Sequence, residues 1–174
     1  DKMLKAAEAS YELGDYSKAL SSLEKFKSKA FKKLGKHNVY TPTYYLLSAK
    51  YNLASGYISE FESNLYTAVT TSISIHQENS LDHILILIGG AELHNINGSY
   101  LDARNYLANA KKLFEGGAPV TDVIKAQWNM ALAEALTGQG FYDEALQILK
   151  EHEKFYVGRA VKQETYVENG ALKS

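Results

Sequence analysis

The sequence predicts an all-α fold, an α-solenoid of stacked antiparallel helical hairpins, and two observations predict it. First, residues recur at a spacing of 42: Gly14, Gly56, Gly98 and Gly140 form one column, Leu23, Leu65, Leu107 and Leu149 a second, and Ala7, Ala49, Ala91 and Ala133 a third. A fourth column, Ala19, Phe61, Ala103 and Ala145, is interrupted by one aromatic residue. Three unbroken columns in register are not expected of residue types of ordinary abundance. A fixed period of this order is the signature of stacked supersecondary units. Second, the apolar residues between the glycines follow spacings of three and four, the period of an amphipathic helix.

Taken in order, the first copy (residues 1–41) opens inside a leading helix with Met3, Ala6, Ala7 and Ser10, turns at Gly14, and continues as a helix from Tyr16 to about Leu34. Gly35 stops it, and the loop GKHNVYTP leads to Pro42, a residue suited to the start of a helix because its missing N–H has no helical partner there. The second copy (42–80) is expected as Thr43 to Ala54, a turn at Ser55 and Gly56, and Tyr57 to about Ile75. In the third (81–120), Leu81 to Ile96 and Tyr100 to about Phe114 flank a turn at Asn97 and Gly98, and GGAP closes the unit. The fourth (121–162) has Thr121 as N-cap, apolar residues from Val123 to Leu136, a TGQG break in which Gly138 and Gly140 supply left-handed backbone, and a second helix from Tyr142 to about Phe155. Residues 163–174 read as a partial fifth or capping helix. No low-complexity linker interrupts the chain, so residues 1–174 are expected as a single array.

Composition excludes several classes. With 22% charged and 45% hydrophobic residues the 174-residue chain has the makings of a folded core. Its net charge of −1 gives no chain-wide field for nucleic acid or anionic lipid, so neither is an expected partner. The lysine-rich stretch Lys25 to Lys36 reads as a solvated helix end with its cations near the C-terminal dipole. Absence of cysteine excludes disulfides, thiolate metal sites and a cysteine nucleophile, and fits a reducing, intracellular and cytoplasmic setting. The longest apolar run, Ile84 to Ile88, is five residues, against roughly 20 for a membrane span. The chain starts at Asp1 without an initiator Met and is expected to be a piece of a longer protein.

The repeated unit resembles the tetratricopeptide repeat, which has a small residue in its first helix, a turn with glycine and tyrosine, and an alanine followed by a large apolar residue in its second. The stretches that carry the resemblance are Gly14-Asp15-Tyr16 with Ala19, Gly98-Ser99-Tyr100 with Ala103, and Gly140-Phe141-Tyr142 with Ala145; Ile58 stands in the tyrosine place of the second copy. The period of 42 exceeds the usual length of about 34 and is similar to the long repeats of kinesin light chains. The resemblance covers residues 2 to about 155 and implies a right-handed superhelix whose leading helices line a concave groove.

That implied groove has an apolar row, Leu4, Leu46, Ile88 and Met130, and a charged row four residues on, Glu8, Lys50, Glu92 and Glu134. Tyr11, Leu53, Asn95 and Thr137 extend it by another turn. Leu46, Lys50, Leu53, Ile88, Glu92, Asn95, Met130, Glu134 and Thr137 are therefore the expected partner-binding residues. The expected function is that of a non-catalytic scaffold or adaptor taking a peptide or helix of a partner protein, sharpest for a basic amphipathic segment selected by the glutamates. The carboxylate clamp by which some tetratricopeptide proteins hold chaperone tails is absent: its places are filled by Lys5, Glu8, Leu47, Lys50, Gly89 and Glu92.

Two rival readings are a regulatory, ligand-sensing segment of a larger enzyme and an RNA-reading helical repeat, the latter disfavoured by the acidic column. No catalytic residue, metal site or cofactor is expected. The five histidines form no three-ligand constellation at helical metal spacing, the glycine pairs follow no strand, and no serine or threonine sits in a nucleophile elbow.

Overall fold

The computed structural model describes residues 1–154, and among these helix is the regular secondary structure, with no strand. The helices are α1 (Lys2–Glu12), α2 (Tyr16–Leu34), α3 (Thr41–Ala54), α4 (Ile58–His76), α5 (Leu81–Ile96), α6 (Tyr100–Glu115) and α7 (Asp122–Gly138), followed by α8 (142–154). The expected residues 155–162 of the fourth copy and the partial helix at 163–174 lie outside the described residues. No described helix is long and apolar enough to cross a membrane.

Four short turns join α1 to α2, α3 to α4, α5 to α6 and α7 to α8, and they are built alike. Gly14, Gly56, Gly98 and Gly140 have φ between 77° and 85°, a left-handed conformation in which a side chain collides with the following carbonyl. In the third turn the Gly98 N–H donates to the Asn95 carbonyl at 3.0 Å and the Ser99 N–H to the His94 carbonyl at 2.8 Å, closing the last turn of α5 as a Schellman motif. The same pair of bonds recurs at Gly14 and Asp15, Gly56 and Tyr57, and Gly140 and Phe141. Each turn reverses the chain within a few residues, so α1 packs on α2, α3 on α4 and α5 on α6.

The alanine column lies where these paired helices meet, with Ala7, Ala49, Ala91 and Ala133 all buried. Apolar side chains then bridge each hairpin to the next leading helix. Ala7, Leu23, Phe26, Tyr44 and Tyr51 join α1, α2 and α3; Ala49, Phe61, Leu65 and Leu93 join α3, α4 and α5; Ile88, Ala91, Leu107, Ile124 and Ala135 join α5, α6 and α7. Leading helices also touch one another, α3 with α5 and α5 with α7, and the Tyr11 ring of α1 stacks on Tyr51 of α3 at 5.0 Å.

Polar tethers cross the same boundaries. Trp128 Nε1 donates to the Leu107 carbonyl at 2.8 Å, His83 Nδ1 meets Ser72 Oγ at 3.0 Å, and the Tyr44 hydroxyl donates to Glu24. Each gives a buried or half-buried polar group a partner, which avoids the cost of an unpaired one.

Three expectations are corrected. α3 starts at Thr41, two residues early, because Pro42 sits within its first turn, where its lost N–H is no penalty. Gly138 is the last residue of α7 and has no positive φ; a Cβ there would lie 2.3 Å from the Tyr100 ring, so close approach, not a turn, requires glycine. Leu149, expected between hairpins, remains 37% exposed. Thr121 does cap α7, accepting from the Ile124 N–H at 3.3 Å.

Two outcomes follow from this packing. Ala91→Leu overpacks the α5–α6 crossing and lowers stability by about 1–3 kcal/mol in urea unfolding; an unchanged midpoint contradicts the crossing. The His83 and His94 imidazoles are held below the usual histidine range, chiefly by burial. Glu78 opposes this at His83 and His76 reinforces it, while Asp102 and Glu62 oppose it at His94. The contribution of both rings to stability is therefore constant above the unfolded value of about 6.5 and declines as pH falls below it, where the unfolded chain takes up protons before the folded one. Urea midpoints across that range fall for the native chain and fall less for His94→Leu.

Candidate functional site

The nine residues expected to line a groove separate into four environments. Glu92, Met130, Glu134 and Thr137 line one open cavity of ≈ 700 Å³ beside α7. Lys50 and Leu53 line a second, of ≈ 210 Å³, with Tyr11 and Ile96. Leu46 is half-buried, and its Cδ2 lies 2.9 Å from where a Cβ on Gly89 would stand, so it fills the α3–α5 contact.

Ile88 and Asn95 do not belong to an accessible surface. Ile88 is 0% exposed and joins the α5–α6–α7 core, because α7 covers the side of α5 on which it stands. Asn95 is 4% exposed, and its Nδ2 donates at 2.9 Å to the Ala131 carbonyl of α7. It is an inter-helix tether, and its Oδ1 has no partner among the described residues. α5 as a whole is apolar enough to be buried on several sides, with His83, Ile84, Ile86, Leu87 and Leu93 all enclosed. Sequence periodicity alone does not distinguish such a central helix from one with a free face.

The larger cavity is built on α7. Met130 is 49% exposed, Glu134 stands exposed one turn further on, and Leu149 of α8 contributes an apolar wall. Tyr100, one of the tyrosines of the repeated turn, also lines it, its ring lying against Gly138. Gln127, absent from the expected set, donates through Nε2 to Glu92 Oε1 at 2.9 Å and orients that carboxylate. Gln127 lies three residues before Met130 on α7, so the helical spacing carried the signal.

Electrostatics distinguish Glu92 from its neighbours. Burial pushes its carboxyl pKa up; the Gln127 hydrogen bond and Lys50 pull it down, and Glu134 adds to the rise. A carboxyl raised in the folded state costs stability as pH climbs from its unfolded value towards its folded one, and the cost is full above both. The smaller cavity has the opposite character: Lys50 Nζ sits 4.5 Å from the Tyr11 ring centroid in a cation–π contact. Chemically, the larger cavity offers an apolar recess with two carboxylates at its edge. No group of three or more potential metal ligands occurs among the described residues.

The Asn95 tether is open to direct measurement. Asn95→Leu removes the orphaned oxygen together with the donor, and the Ala131 carbonyl stays within the α7 ladder, so stability changes by less than about 1 kcal/mol. Asn95→Asp leaves an acceptor facing an acceptor and costs about 1–3 kcal/mol. Urea unfolding of both variants checks the pair.

No family model matches the chain, and neither a curated protein nor a solved structure matches it.

Proposed function

We propose that the chain is a repeat array of the tetratricopeptide kind, a right-handed α-solenoid acting as a non-catalytic scaffold that docks a peptide or helix of a partner protein. Support for the repeat comes from the four alike turns at a 42-residue spacing and from cores shared between each hairpin and the next leading helix. One observation carries the docking reading: the ≈ 700 Å³ cavity beside α7, apolar at Met130 and Leu149 and acidic at Glu92 and Glu134. A basic amphipathic segment suits it. Its apolar side chains take the recess, and a lysine or arginine head reaches the carboxylates, whose mutual repulsion it relieves.

In the free protein Glu92 is a carboxylate in a setting that disfavours its charge. A bound cation stabilises the ionised form, so part of the affinity is the relief of that cost. Lys50 and Leu53 are proposed to extend the surface towards α1.

The test separates binding from folding. Glu92→Gln keeps an acceptor for Gln127 and removes the burdened charge, so stability at neutral pH holds or rises while binding of basic amphipathic helical peptides, read by fluorescence anisotropy, weakens. Glu92→Lys with Glu134→Lys weakens it about tenfold or more at low ionic strength, and the difference shrinks as salt is added. Affinity that ignores both charge reversal and salt rejects the reading.

A further inference from the structure

We infer that the exposed face of α2 and the loop after it form a docking surface for an anionic phospholipid bilayer, independent of the cavity beside α7. Residues 16–40 hold seven of the chain's 19 basic residues and one of its 20 acidic ones, so near-neutrality overall conceals a strongly positive segment. Glu24, the single acid, is already engaged: its carboxylate accepts from the Tyr44 hydroxyl and lies 3.8 Å from Lys27 Nζ. Lys18, Lys25, Lys29, Lys32, Lys33 and Lys36 are exposed and have no ion pair among the described residues. Lys18, Lys25, Lys29 and Lys32 follow one another at seven, four and three residues, which places them along one face of α2.

The helix dipole accounts for only part of this row. Lys32 and Lys33 occupy the last turn of α2, but Lys18 lies in its first turn, where a cation is disfavoured, and Lys25 lies mid-helix, where the dipole has decayed. At the end of the row the surface turns apolar: Leu34, Val39 and Tyr40 are exposed. Lys29 and Lys33 share with Leu4, Phe26, Leu34 and Tyr40 an open slot of ≈ 370 Å³, with the Asp1 carboxylate at its rim. That carboxylate caps α1 through the Met3 N–H. The Tyr40 ring is held edge-on to Phe26 at 5.9 Å.

This combination fits a lipid interface better than its rivals. Lysines act as point charges towards a diffuse anionic plane, each adding to the attraction, and apolar tips beside them enter the headgroup boundary. A nucleic-acid surface that reads sequence adds arginine forks on base edges, and residues 16–40 contain no arginine. An acidic peptide seated in the slot engages Lys29 and Lys33 and leaves Lys18, Lys25 and Lys36 without a role. The expectation of no membrane partner rested on net charge and on reading Lys25 to Lys36 as a solvated helix end, whereas Lys25, Lys29 and Lys32 share one face of α2 with Lys18.

Cosedimentation of the full chain with phosphatidylcholine vesicles, with and without about 30 mol % phosphatidylserine, tests the inference. Binding is expected only with the anionic lipid, lost as salt rises, and about fivefold weaker for each of Lys25→Gln, Lys29→Gln and Lys32→Gln. Leu34→Ser with Val39→Ser is expected to lower vesicle binding and leave retention on heparin unchanged. Equal binding to neutral vesicles, a triple glutamine variant that binds like the native chain, or binding to duplex DNA or polyglutamate with none to vesicles overturns it; circular dichroism confirms that each variant is folded.

Discussion

Everything in this fold depends on how closely the two helices of each hairpin approach. Ala7, Ala49, Ala91 and Ala133 are buried at those crossings, and methyl-sized side chains there let the helix axes come near enough for larger residues on either side to interlock. The left-handed glycine after each leading helix completes the constraint, because it returns the chain at once along the helix it has just left. A hairpin made this way still has apolar surface uncovered. Leu23, Leu65 and Leu107 are buried only because the next leading helix arrives, so each hairpin depends on its successor for its core.

Such dependence could leave neighbouring hairpins free to slide, since apolar contact is not directional. Directional bonds at the boundaries restrict it. Asn95 reaches the Ala131 carbonyl, Trp128 the Leu107 carbonyl, and His83 meets Ser72. None of these recurs at the 42-residue spacing: the positions of Asn95 in the other copies hold Tyr11, Leu53 and Thr137. Burial is shared by all the hairpins, whereas register is set locally by residues particular to each junction.

This division explains what was legible in the sequence. Helix number, turn positions and the buried alanine and leucine columns follow from periodicity, and the bounds of α2 and α5 agree with it residue for residue. Errors fell where a tertiary neighbour overrode a local rule. Gly138 looked like a turn glycine and is a seat for the Tyr100 ring. Ile88 and Asn95 occupy the same helical positions as Met130 and Thr137, yet α7 covers the first pair while the second pair, on α7 itself, stands exposed. Column position specifies which way a side chain points from its own helix; it does not specify what the following hairpin places on top of it.

Charge obeys the same logic. Lys50 lies 42 residues before Glu92 and near enough to favour its ionised form, while Glu134, 42 residues after it, adds repulsion. A folded chain selected only for stability has no use for a half-buried carboxylate whose charged form is disfavoured and whose neighbour repels it. Glutamine would keep the bond to Gln127 without that penalty. In the proposed docking role that charge has a use, because an incoming cation at the cavity it borders would offset its cost.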